Sequence, residues 1–237
     1  MARKGRAARL TERAAFLPPS GRSLDESSLR EEGLAAPEKK TGRILLIGCG
    51  ALAREILDIK QKNGLDHMDL TCLPAKLHLY PDQIVEAVEG AVRKHRTVYD
   101  QIYVVYADCG TGGRLERACA DLGVEMVPGP HCYAFFEGND AFAQQAEDGE
   151  ITAFYLTDFL VKQFDAFVWR PMGLDKHPEL RDMVFGNYTK LVYQSQIQDP
   201  ALLEKAKDCA DRMGLAFEHR HTGYGDLESS LTGWATG

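Results

Sequence analysis

Two cysteines stand 60 positions apart in similar settings: Cys49 in Gly48-Cys49-Gly50, and Cys109 in Asp108-Cys109-Gly110-Thr111-Gly112-Gly113. A third, Cys132, follows His131 in Pro128-Gly129-Pro130-His131-Cys132, and His78 closes Pro74-Ala75-Lys76-Leu77-His78. Thiolate and imidazole suit Zn2+, so Cys49, Cys109 and Cys132 form a three-ligand set, with His131 or His78 as fourth ligand or proton shuttle. No CxxC or HExxH pair is present, so such ligands must come from distant turns. The same residues allow a metal-free mechanism. A cysteine opening a helix is favoured as thiolate by the terminal N–H groups, and two of them facing each other across a substrate are the acid and base of a racemase or lyase. Cysteine also fills cores as a small apolar side chain. That is the expected role of Cys72, inside a strand, and of Cys119 and Cys209, at core spacing on helices.

Asp108 stands where it would orient a ligand histidine or contact substrate, although Asp is also common in glycine turns. Thr111, Gly112 and Gly113 precede a helix and offer backbone N–H groups to an anionic substrate group. Tyr133, next to Cys132, and Tyr224, near the strand end His219-Arg220-His221, are the aromatic candidates for substrate contact. Neither glycine turn is a P-loop or a full GxGxxG, so no nucleotide cofactor is expected.

For these residues to act together, the elements beneath them must aim them at one place. Arg43 to Ile47 is a short apolar run ending in the first Cys-Gly turn, and Ala51 to Gln61 follows with helical spacing. Asp69 to Leu73 is a strand closed by Pro74, and Pro81 to His95 is a helix with proline in its first turn. The grammar then recurs: strand Gln101 to Tyr106, the second Cys-Gly turn, helix Arg114 to Asp121, strand Val124 to Val127 closed by Pro128. The two closing prolines lie 54 positions apart. This suggests a duplicated β-α-β unit. A looser third copy comprises strand Lys190 to Ser195, helix Pro200 to Met213 stopped by Gly214, and strand Leu215 to His219, followed by a last helix through Leu231. Between them, a strand at Ala153 to Leu156 leads into a helix from Asp158, and the aromatic run from Phe154 to Trp169 reads as core. The predicted fold is α/β: a mainly parallel sheet with helices on both faces, built from Rossmann-like units. Loops leaving the carboxyl ends of such strands lie along one edge, where ligands bind. Cys49, His78, Cys109, His131 and Cys132 all follow predicted strands, so their separation in sequence does not bar them from meeting.

The chain of 237 residues, 44% hydrophobic, carries a formal charge of −7. Residues 1–40 hold nine basic and six acidic side chains, which leaves the remainder at −10. An acidic body argues against nucleic-acid partners, and the apolar runs are too short for a membrane span. Residues 1–41 read as a disordered or weakly ordered extension and 42–237 as a single domain. Without an export signal a cytoplasmic setting is expected, with the six cysteines reduced.

Several stretches resemble an uncharacterised prokaryotic family, domain of unknown function 1638. They are Ile47 to Gly50, Leu73 to His78, Ala107 to Gly113, Gly129 to Tyr133, Tyr155 to Phe159 and Thr222 to Asp226. The resemblance runs from Arg43 onward. It implies a setting in one-carbon or methylated-amine metabolism, beside corrinoid proteins and their methyltransferases, and methyl transfer as the best-fitting reaction. A zinc–thiolate site fits that setting, because zinc activates thiols toward methyl groups. A non-enzymatic accessory protein of such a corrinoid system is the alternative it leaves open.

Overall fold

The computed structural model describes residues 24–38, 42–147 and 152–236. Strands β1 (Ile44–Cys49), β2 (Met68–Leu73), β3 (Gln101–Val105) and β4 (Glu125–Met126) form one sheet in the order β2-β1-β3-β4, with every pairing parallel. Helices α2 (Ala53–Lys62), α3 (Pro81–His95) and α4 (Arg114–Leu122) connect them. Because both faces are covered, alternate strand residues enter different apolar cores instead of alternating with polar ones. Ile44 and Leu46 face a core with Ile56 and Ile59 of α2, while Leu45 and Ile47 face one with Val88 of α3 and Leu115 of α4. The two β-α-β units read from the repeat lie back to back, so β1 and β3 are neighbours and the strand order reverses between them. That reversal is where ligands bind in open parallel sheets.

The expected sheet is divided in two. Strands β5 (Ala153–Thr157), β6 (Lys190–Ser195) and β7 (Ala216–His221) make a separate parallel sheet in that order. It is packed by α7 (Asp158–Lys162), α8 (Arg181–Phe185) and α9 (Pro200–Met213) into a third core, rich in the predicted aromatic residues Phe159, Phe164 and Phe167. Helices α5 (Cys132–Glu137) and α6 (Asn139–Glu147) lead from one sheet toward the other. The last helix, α10 (Gly225–Trp234), returns to the first: Leu227 and Leu231 join the α2 core, and Trp234 stacks on Tyr103 of β3 at 4.5 Å. The close approach of α10 to α5 requires glycine. Gly225 has φ +49°, and a Cβ there would lie 2.3 Å from the carbonyl oxygens of Phe135 and Phe136. Gly225→Ala is therefore expected to cost upwards of about 2 kcal/mol in urea unfolding; a loss below about 0.5 would refute the tight docking.

Residues 24–38 do not behave as a solvated arm, whereas 1–23 lie outside the described residues. Helix α1 (Glu26–Glu31) is capped by Asp25, whose side chain accepts from the Ser28 N–H, and it buries Leu29 to 2% exposure. Leu34 then exchanges backbone hydrogen bonds of 2.8 and 2.7 Å with Cys72, which covers the free edge of β2. Apolar Leu24, Leu29 and Leu34, spaced five apart, anchor a segment whose charge made it look unstructured.

Candidate functional site

The end of β1 carries Cys49 to the place where the three cores meet; its side chain packs against each of them. Cys109 emerges from the neighbouring strand β3. Among the described residues it is the one non-glycine with positive φ (+49°), a conformation costing on the order of 1–2 kcal/mol. The backbone N–H groups of Asp108 and Cys109 donate to the carbonyls of Gly129 and Pro130 at 3.0 and 3.1 Å. These two bonds stitch the turn after β3 to the turn after β4 and bring Cys132, the first residue of α5, alongside. Cys49, Cys109 and Cys132 therefore interact electrostatically with one another, although the first and last are 83 residues apart.

Each thiol keeps a little accessible surface but is surrounded by protein, and this burial dominates its chemistry. It pushes Cys49 up to about 11 and Cys109 to about 12, and holds Cys132 well above the ordinary thiol range. The neighbouring cysteines add to the last two shifts. At neutral pH all three are thiols, not thiolates. The helix-terminal activation expected for Cys49 and Cys109 is outweighed by desolvation. All six cysteines are free.

Three further groups belong to this cluster, and none was among the residues singled out for chemistry from the sequence. Tyr106 lies at the end of β3, 1% exposed. Its hydroxyl faces Cys49 closely enough to affect it, yet makes no properly directed hydrogen bond. Cys72, read as a core residue, is indeed 3% exposed, but its sulfur also lies within range of Cys49. Gly48 lies beside it: a Cβ on Gly48 would come 2.8 Å from Ile56 Cδ1 and 3.4 Å from that sulfur. Glu55 sits on the buried face of α2, 6% exposed, with Oε2 unpartnered. Burial raises its carboxyl to about 7, against opposing help from its own backbone N–H and from Lys162. The sequence carried the signal, since Glu55 occupies a core-facing position between Leu52 and Ile59.

The outer residues divide differently from expectation. His78 and His131 lie within charge range of each other, and His131 near Asp108; burial lowers the pKa of both imidazoles, so both are neutral at pH 7. His78 exposes part of its ring while its other side meets the edge of Phe167 at 6.2 Å. The Thr111 to Gly113 turn does gather hydrogen-bond donors around a carboxylate, but that carboxylate is Asp108. Thr111 Oγ1 and the Gly113 N–H donate to Asp108 Oδ1, both at 2.7 Å, and the Gly112 N–H donates to Oδ2 at 3.0 Å. Burial works to raise Asp108; these bonds, with His131 nearby, outweigh it and hold its pKa below the usual carboxylate value. The turn's donors are thus filled from within the chain, and Asp108 shapes the loop that strains Cys109.

Tyr133 stacks on Tyr155 at 5.5 Å beside Cys132, with His131 at 5.1 Å, so it forms an aromatic wall of the cluster. Tyr224 instead gives its hydroxyl to Asp58 of α2 and packs in the α2 core. At the end of β7, His219 and His221 bond to Ser195 Oγ of β6, at 2.9 and 3.0 Å, and pin the edge of the second sheet. Among the described residues, no group of three or more His, Cys, Asp or Glu stands ready-made for a metal ion, and no helix is long and apolar enough to cross a membrane.

The model of a family described as protein of unknown function (DUF1638) matches residues 72–231. The chain belongs to that family. The DUF1638 match takes in Cys72, His78, Asp108, Cys109, His131 and Cys132 and begins after Cys49 and Glu55. No curated protein matches the chain. Among solved structures, an ornithine carbamoyltransferase from Pyrococcus furiosus aligns at 17% identity with a TM-score of 0.24 over 77% of this chain. The chain spans about half (55%) of that enzyme's length.

Proposed function

We propose that this DUF1638 protein binds one zinc ion through Cys49, Cys109 and Cys132 and uses it to act on a small molecule. The observation that supports this reading is the meeting of three thiols, from three separate turns, beside a buried tyrosine hydroxyl that lacks a hydrogen-bond partner. The donor chemistry fits a soft-to-borderline ion, and His131, next to Cys132 in the chain, or His78, within charge range of His131, would supply a fourth nitrogen or carry protons. Bound zinc supplies Lewis acidity and a means of holding a substrate thiol as thiolate. The chain's own residues would do the rest. Glu55 accepts or returns a proton near pH 7, the Tyr133 and Tyr155 rings wall off water, and the Asp108 turn keeps Cys109 in its strained position. A cytoplasmic setting would keep the cysteines reduced, and methyl transfer beside a corrinoid protein is the reaction class the family setting favours.

The metal-free racemase reading is less well supported, because opposed cysteines need one thiolate at rest and burial holds every thiol here protonated. Elemental analysis of protein prepared without an affinity-column metal tests the choice. About one zinc per chain is expected, lost in Cys109→Ser but kept in Cys119→Ser, whose thiol lies in the α3–α4 core. Metal-free wild-type protein that stays metal-free on addition of zinc would end the proposal.

A further inference from the structure

Next to the cysteine cluster, Glu26 and Leu29 of α1 close over a narrow cleft lined by Gly50, Ala51, Arg54, Glu55, Phe159 and Lys162, which they fill. Arg54 comes from the first sheet's helix α2 and Lys162 from the second sheet's helix α7, each just past the carboxyl end of a parallel strand. Both point their charge at one carboxylate, that of Glu26: Arg54 Nε donates to its Oε1 at 2.7 Å, and Lys162 Nζ stands 3.9 Å from the same atom. The other Arg54 branch donates to the Leu24 carbonyl. The guanidinium fork is therefore split between two groups of the same short segment.

The fit is poor for a purely structural anchor. Glu26 Oε2 is buried without a hydrogen-bond partner, and so is Glu55 Oε2 in the same cleft. Buried acceptors without donors are rare and costly, and an Arg fork is best matched by both oxygens of one carboxylate. We propose that Arg54 and Lys162 form the binding subsite for a small carboxylate ligand, and that Glu26 occupies it in cis as a displaceable substitute. The ligand's carboxylate takes both branches of the Arg54 fork and the Lys162 ammonium. A hydrogen-bond donor on the adjacent carbon, as in a 2-hydroxy or 2-amino carboxylate, satisfies Glu55 Oε2. Residues 24–34 leave the cleft as the ligand enters, and Gly50 and Ala51 place the ligand directly beside Cys49. The subsite goes beyond the zinc reading and does not depend on it.

Amide hydrogen exchange across residues 24–34 of the full chain, followed while glycolate is titrated, tests this. Exchange should quicken saturably with glycolate and less readily with acetate, which lacks the donor. Glu26→Gln should bind glycolate about tenfold more tightly, because its internal competitor is gone. Arg54→Met and Lys162→Met should each weaken glycolate binding; Lys162, whose side chain is 25% exposed, is the substitution less open to a folding defect. Unchanged exchange with glycolate, or equal affinity in wild type and Glu26→Gln, would overturn the proposal. Zinc measured on the same samples keeps this result separate from the metal reading, since loss of either leaves the other standing.

Discussion

Replacing Glu55 with Gln is expected to stabilise the protein at pH 8 by about 3 kcal/mol, an unusual gain for a change in a buried residue. The carboxyl lies 6% exposed, and burial is the largest reason that its pKa stands near 7 rather than at the ordinary 4.5. The sign follows from proton counting. Between those two values the folded state holds a proton that the unfolded chain has released, so stability falls as pH rises through this window. Above pH 7 the folded protein carries a desolvated carboxylate with an unpartnered oxygen. Gln keeps the shape and removes the charge. Urea unfolding at pH 5, 6, 7 and 8 should therefore show wild type losing stability relative to Glu55→Gln as pH rises, the two meeting near pH 5. Parallel curves would mean that Glu55 keeps an ordinary pKa. If Glu55 also carries protons during turnover, the variant gains stability and loses activity together, as expected where a fold accommodates a strained functional group.

The elements of this fold were legible because their signals are local. Apolar runs closed by Pro74 and Pro128, helical spacing in Pro81 to His95, and Gly214 after Met213 each record a constraint felt within a few residues. The separation into two sheets was not legible, because every strand is short, apolar and parallel, and nothing in such a run states which neighbour it will join. The convergence of Cys49 with Cys109 followed from topology, since both leave adjacent strands at one edge. The arrival of Cys132 depended on two backbone bonds between turns, from Asp108 and Cys109 to Gly129 and Pro130, which leave no mark on residue type. Asp108 illustrates an ambiguity in principle: a carboxylate beside a glycine turn can orient a ligand or fill the turn's own donors, and only coordinates separate these. Glu55 was missed for a different reason. A charged residue among Leu52, Ile56 and Ile59 breaks the apolar stripe of α2, and such a break marks either a solvated flank or a buried ionisable group. The arm resembled a solvated tail by charge, but its leucines were its better guide.

The strongest pH effect should come from the cysteines themselves. A thiol must lose its proton to bind zinc, and Cys49, near 11, and Cys109, near 12, are fully protonated at neutral pH, with Cys132 held higher than ordinary thiols too. Binding one ion through all three should release about three protons near pH 7, so the logarithm of zinc affinity should rise with a slope near three per pH unit. A fall from pH 8 to 7 would then weaken binding roughly a thousandfold. Calorimetry in buffers of different ionisation enthalpy counts those protons directly, and competition with a chelator gives the slope. The count also identifies ligands: Cys132→Ser should lower it to about two, while a wild-type value near four would bring in Cys72, the sulfur next to Cys49. Because the three turns meet only in the folded chain, the same binding should raise the unfolding temperature, and by more at pH 8 than at pH 7. Zinc that binds with no proton release, or that protects Cys109→Ser as well as wild type, would place the ion somewhere other than the junction of the three cores.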